Sequence, residues 1–251
     1  MKQILGDNQF FGVNHYDIDK GDKTKIQFSN DDSIIEFIRR SMDLGLTGFM
    51  INSNNRGYKI TDSISKLIDC EIHYSVPYPH KFASMVNEGG LLSLVSYVFK
   101  KSSTKSIFFY SPRFLFSGNI KYLLPLLLDL EIPKNLPKGS YVYLQNIVTD
   151  LILGIKRVDL LETFCSTIIN KGYMPGLITL NPILLGNVVS NFDINIQQKL
   201  IFCYNINDSG FNVFPNLKKV EDFTKNKSPY KKMGMSILSS GGINNIQESL
   251  K

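Results

Sequence analysis

The groups in this chain that can move protons or hold a polar ligand gather where short apolar runs end. The first such place is Gly6-Asp7-Asn8-Gln9-Phe10-Phe11-Gly12-Val13-Asn14-His15, where an apolar run hands over to a carboxylate, carboxamides and an imidazole. The handover recurs at Asn52 and Asn54, Tyr78 and His80, Gln145 and Asn146, Asn181, Asn205 and Asn207, and Ser239 and Ser240. Proton transfer needs a titratable side chain, so Asp7, His80 and His15 are the catalytic candidates. Carboxamides donate and accept hydrogen bonds at once, which suits a sugar-like or other polyhydroxylated substrate. Asn8, Gln9, Asn52, Tyr78, Gln145, Asn146, Asn181 and Asn205 are the substrate-binding candidates. Arg56 adds a site for phosphate or carboxylate. Gly241-Gly242 would bind phosphate through backbone N–H groups at a helix start. Lys81 follows His80 and is a weaker candidate for a Schiff-base lysine.

Each residue also has a plainer role. An aspartate or asparagine after a strand commonly forms a turn or caps the next helix. His73 lies inside a strand and is read as structural. No P-loop, nucleophile elbow, dinucleotide-binding glycine fingerprint or HExxH motif occurs. The cysteines Cys70, Cys165 and Cys203 do not stand at metal-ligand spacing, and no metal is expected.

These residues need a scaffold that brings many strand ends to one face. The hydrophobic pattern predicts strands at Gln3–Asp7, Gly48–Asn52, Ile72–Val76, Tyr141–Leu144, Gly176–Leu180, Leu200–Tyr204 and Met233–Leu238. Helices are expected from Asn30 or Asp31 to Gly45, over Ile60–Ile68, from Lys81 through Phe99, over Ile120–Leu130 and Val158–Asn170, and before Lys199. Tyr16–Ser29 reads as a polar loop, and Leu217–Lys227 as a basic loop or helix. Alternating strands and helices predict a parallel sheet with helical cover. The chain of 251 residues matches one (β/α)8 barrel, a TIM-type α/β fold, in which the ligand site lies at the C-terminal strand ends. Seven strands are read, so the barrel is expected to be truncated or to lack its last βα unit. The expectation is a single domain over 1–251, with an expanded helical section at about 102–138 that could supply the eighth strand.

The net charge of +6 comes from scattered lysines rather than one basic element, which argues against a nucleic-acid role. The longest apolar stretch, Tyr122–Leu130, is broken by Pro125 and Asp129 and is too short to span a bilayer. Sparse, unpaired cysteines and the lack of a signal segment give an expected cytoplasmic location with no membrane partner. The partner expected is a small-molecule substrate. The sequence leaves oligomeric state open.

Three passages carry a resemblance to a known family. Leu44-Gly45-Leu46-Thr47-Gly48-Phe49-Met50-Ile51-Asn52-Ser53-Asn54-Asn55-Arg56-Gly57 resembles the second-strand signature of the aldo-keto reductases. Tyr141-Val142-Tyr143-Leu144-Gln145-Asn146 is similar to their fourth strand, and Ser236-Ile237-Leu238-Ser239-Ser240-Gly241 to their seventh. The resemblance implies a barrel fold and, as an alternative function, NADPH-dependent oxidoreduction. The catalytic tetrad does not carry over. Its aspartate falls on Ile51, or on Asn52 with a shift of one, its tyrosine on Arg56 or near Tyr58, and its histidine on Asn146. Lys81 is only near the lysine position. The opening Gly6–His15 also resembles a signature of uncharacterised bacterial barrel proteins, which implies no reaction. The sequence therefore favours an acid–base enzyme such as a lyase or isomerase of carbohydrate metabolism, acting on a small polar or phosphorylated substrate; it leaves open whether a cofactor takes part. A non-catalytic ligand-binding barrel is a further alternative.

Overall fold

The structure, a computed structural model, describes residues 2–14, 17–77, 112, 116–117, 119–122 and 124–239. The strands are β1 (Ile4–Leu5), β2 (Gly48–Asn52), β3 (Glu71–Val76), β4 (Tyr141–Leu144), β5 (Met174–Thr179), β6 (Ile201–Asn205) and β7 (Lys231–Met235). The helices are α1 (Ile18–Gln27), α2 (Asp31–Asp43), α3 (Asn55–Leu67), α4 (Leu124–Glu131), α5 (Asn146–Gly154), α6 (Val158–Asn170), α7 (Pro182–Val189), α8 (Ile194–Lys199) and α9 (Leu217–Lys225). A 3-10 turn, Asn8–Phe11, follows β1.

All seven strands are parallel and lie side by side in chain order. The register drifts steadily across them. Asn52, the last residue of β2, is level with Ser75, Tyr143, Gly176, Ile201 and finally Lys231, the first residue of β7. Such stagger tilts the strands and curls the sheet, as in a barrel wall. The result is a curled half-barrel of α/β type; among the described residues β7 does not pair with β1. A closed eight-stranded barrel is thus not what these residues form, and the 102–110 segment lies outside them.

Successive strand residues face opposite sides. On the helix-facing side Phe49, Ile51, Ile72, Tyr74, Val142, Leu144, Leu177, Phe202 and Tyr204 join helical Ile34, Ile38, Ile60, Ile64, Phe164, Ile168, Leu185 and Val220 in the main core. The inner side carries a smaller cluster, Tyr143, Ile178, Ile201 and Cys203, with Met50, Tyr141, Met233 and Met235 against it. Gly176 is required there: a Cβ at this position would lie 2.2 Å from Cδ1 of Tyr143, whose ring crosses it.

Asparagine and aspartate start most of the helices. Asp17, Asn30, Asn54, Asn181, Asp193 and Asn216 each accept a backbone N–H in the first turn of the helix they precede. Tyr16–Ser29, expected as a loop, contains helix α1 instead. It lacks an apolar stripe, and it holds its place by Asp17 capping and by close backbone approach of Gly21 to Gly12. The α3 helix begins at Asn55, five residues before the expected start, because Asn54 caps it. Helix α5 was not expected; it starts directly at the end of β4. Within the 102–138 section, α4 is the leucine-rich helix expected there. No helix among the described residues is long and apolar enough to cross a membrane.

Candidate functional site

The short β1 stops at Leu5, and the chain bends so that Asp7 lies beside the end of β2. Its carboxylate takes over where the β1 ladder ends. The Asn52 backbone N–H donates to Asp7 Oδ2 at 2.8 Å, and Asn52 Nδ2 donates to Oδ1 at 3.0 Å and Oδ2 at 2.9 Å. On its other side, Asn52 Oδ1 accepts from Gln145 Nε2. Gln145 precedes α5 in the N-cap position, yet its side chain makes no cap bond, which leaves it free to reach Asn52. Three strand ends, those of β1, β2 and β4, thus meet in a chain of one carboxyl and two carboxamides.

Asp7 is almost wholly buried. Burial penalises its charged form and pushes the carboxyl up from 3.8 to about 6, against the opposing pull of the Asn52 hydrogen bonds. No cation among the described residues compensates it. Arg56, the guanidinium in this part of the fold, is committed elsewhere. It donates to Asp31 at 2.6 Å, to the Phe28 carbonyl at 2.5 Å and to the Phe10 carbonyl at 3.4 Å, tying α2 and the 3-10 turn to α3.

The other expected site residues are placed as follows. Asn8 is exposed in the 3-10 turn. Gln9 donates to the Gly6 carbonyl at 2.8 Å, bracing the turn. Asn146 opens α5 and is half-buried. Asn181 caps α7, accepting from Leu184 N–H at 3.1 Å. Asn205, at the end of β6 on the inner face, donates Nδ2 to the Asn212 carbonyl at 2.9 Å, while its buried Oδ1 has no partner. Asn207 braces the following loop through Phe211 and Ser209, and Ser209 shares a hydroxyl bond of 2.7 Å with Ser239. His15, Tyr78, His80, Lys81, Ser240, Gly241 and Gly242 lie outside the described residues.

Polar residues within the strands and just beyond them also stand out in the structure. Ser75 stands level with Asn52 on the inner face, buried, with an unpartnered hydroxyl. Its signal was the two-residue spacing from His73 along one strand. Ser53 donates to buried Glu131 of α4 at 2.7 Å. Toward the N-terminal ends of the strands, His73 is buried, stacks on Tyr141 at 4.6 Å and shares a 2.8 Å hydrogen bond through Nδ1 with Tyr143. Its Nε2 is 3.6 Å from the Glu71 carboxylate, which is ion-paired to Lys2. Burial outweighs that carboxylate and lowers the imidazole from 6.5 to about 4.

Chemically, the strand-end chain offers one carboxyl poised to exchange protons near neutrality, flanked by amides that can orient hydroxyl or carbonyl groups. Among the described residues no group of three or more histidine, cysteine, aspartate or glutamate side chains could hold a metal ion. Comparisons with protein-family models, curated proteins and solved structures found no match.

Proposed function

We propose that this chain is an enzyme of barrel architecture that uses acid–base chemistry on a small polar substrate, sugar-like or phosphorylated, as a lyase or isomerase would. The single observation that carries this reading is the Asp7 carboxyl: buried, uncompensated by a cation among the described residues, and raised to about 6. A carboxyl with a purely structural task is best kept charged and paired. One held near neutral pH can take a proton and return it. Gln145 closes the amide chain at the end of β4, and two further unpartnered polar atoms, Asn205 Oδ1 and the Ser75 hydroxyl, lie buried on the same sheet face. His80 and His15 would serve as second proton carriers, and Gly241-Gly242 as a phosphate seat. Three free cysteines fit work in the cytoplasm.

The alternative, NADPH-dependent oxidoreduction, finds little support in the residues at the tetrad positions. Ile51 is in the helix-facing core, Arg56 is tied to Asp31, and Tyr58 is exposed on α3. Neither Ile51 nor Arg56 supplies the proton donor that hydride transfer to a carbonyl requires.

The test is an untargeted turnover screen. Wild type and Asp7→Asn are incubated with a mixture of polar metabolites, and consumption is followed by mass spectrometry. At least one hydroxylated compound should be consumed by wild type and spared by Asp7→Asn. Equal consumption by both proteins, or none by either, overturns the proposal.

A further inference from the structure

The direction of the hydrogen bonds from Asp7 to Gln145 is dictated by protonation. An ionised carboxylate only accepts, so Asn52 must turn its NH2 toward Asp7. That places Asn52 Oδ1 on the far side, where it accepts from Gln145 Nε2. Gln145 is half-buried, and with its NH2 so engaged its Oε1 is the atom left for a ligand. While Asp7 is charged, then, the end of the chain is an acceptor.

A proton on Asp7 reverses this logic. Oδ2 still accepts the Asn52 backbone N–H at 2.8 Å, so the proton belongs on Oδ1. The new hydroxyl needs an acceptor, but the group 3.0 Å away is the Asn52 NH2. Half a turn of the Asn52 carboxamide puts its oxygen there instead. Amide nitrogen and oxygen are nearly the same size, so the turn needs no repacking; it gives up the 2.9 Å bond from Asn52 Nδ2 to Oδ2 in exchange for the bond from the new hydroxyl. Asn52 then points NH2 at Gln145, whose amide turns in the same way and leaves Nε2 outermost.

We propose that Gln145 is the specificity-determining residue of this site, presenting an acceptor while Asp7 is ionised and a donor once Asp7 is protonated. Above the midpoint the site takes a ligand hydroxyl or amine at Gln145; below it, a carbonyl or carboxylate. This choice of ligand group rests on the acid–base reading of the site; the amide reversal itself does not. Desolvation of Asp7 puts its midpoint at about 6, so both forms are populated near neutrality. Among the described residues the charged groups of the neighbouring elements are turned to other partners. Arg56 of α3 holds Asp31 of α2, Glu131 of α4 takes the Ser53 hydroxyl, and Asp150 of α5 takes the Thr179 hydroxyl and Leu180 N–H.

The full chain, labelled with 15N and 13C, tests this without any substrate. The side-chain amide signals of Asn52 and Gln145 and the Asp7 carboxyl carbon are followed from about pH 4.5 to about pH 8, a span that brackets the midpoint. All three are expected to move together with one midpoint. In Asp7→Asn, which copies the protonated form, the two amides should stay at their acid-end positions throughout. Gln145→Glu supplies an acceptor-only end that demands the reversed Asn52, so it should raise the proton affinity of Asp7 by about tenfold or more. Gln145 amide signals that do not follow Asp7, or a Gln145→Glu chain with an unchanged Asp7 midpoint, overturn the proposal. If the coupled titration is seen but no compound is turned over, the reversal stands and the acid–base reading falls. If a compound is turned over but the amides do not titrate with Asp7, the acid–base reading stands and the reversal falls.

Discussion

Replacing Asp7 with Asn should stabilise the fold at neutral pH and change it little near pH 4. The folded carboxyl is raised from 3.8 to about 6, so the folded chain holds more protons than the unfolded chain across that window. The stability that Asp7 contributes is fully present below 3.8 and is lost as pH rises through about 6. At about 1.4 kcal/mol for each pH unit, the loss is roughly 3 kcal/mol. His73 works in the opposite sense over nearly the same range. Its folded value is lowered from 6.5 to about 4, so its contribution is present above 6.5 and is lost as pH falls through about 4, again by roughly 3 kcal/mol. In wild type the two slopes oppose each other, and stability should vary little between them. Asp7→Asn removes one slope. Urea denaturation followed by far-ultraviolet circular dichroism suits a chain with no tryptophan. The variant should gain roughly 3 kcal/mol over wild type on going from pH 4 to pH 7.5. His73→Gln should show the mirror image, gaining on wild type as the solution is acidified. If the Asp7→Asn difference is the same at both ends to within about 0.5 kcal/mol, Asp7 has an ordinary carboxyl and the reasoning fails.

Two further outcomes follow from packing and bonding. Gly176→Ala should destabilise the fold by about 3 kcal/mol, since its Cβ would enter the Tyr143 ring, and the cost should shrink in a Tyr143→Ala background when measured by the same denaturation. Arg56→Ala should cost about 2 kcal/mol by freeing Asp31 and two backbone carbonyls, and Arg56→Lys should not restore it, because one ammonium cannot span three acceptors held by a planar fork.

Much of the scaffold was legible because the apolar signals were long and regular. Gly48–Asn52 and Tyr141–Leu144 lie between turn or cap residues and fall where the pattern put them. The Val158–Asn170 helix repeats its apolar residues at helical spacing. Helix α1 was illegible because Asp17 to Gln27 has no apolar stripe; its support is a cap and a glycine contact, and the contact is long in space but invisible as a pattern. Helix α5 escaped because Gln145-Asn146 reads as the polar end of a strand and the short apolar pairs after it are interrupted by Thr149 and Asp150. The candidate site was legible as a set of strand-end polar residues, but not as a partition. Asn181 and Asn52 look alike in the sequence. The first spends its oxygen on a helix cap, while the second bridges Asp7 and Gln145, and only the three-dimensional placement of β1, β2 and β4 separates them. The same holds for Arg56, whose charge was read as a ligand grip and is satisfied within the fold.

The proposed chemistry turns on the state of one carboxyl, and its titration is the most direct measurement. With aspartate labelled at the carboxyl carbon, the Asp7 resonance should titrate with a midpoint near 6, well above the ordinary 3.8 from which burial raises it. A midpoint for Asp7 at or below that ordinary value would mean that the buried carboxyl is a charged brace held by the Asn52 N–H donors rather than a proton carrier, and would contradict the proposed chemistry.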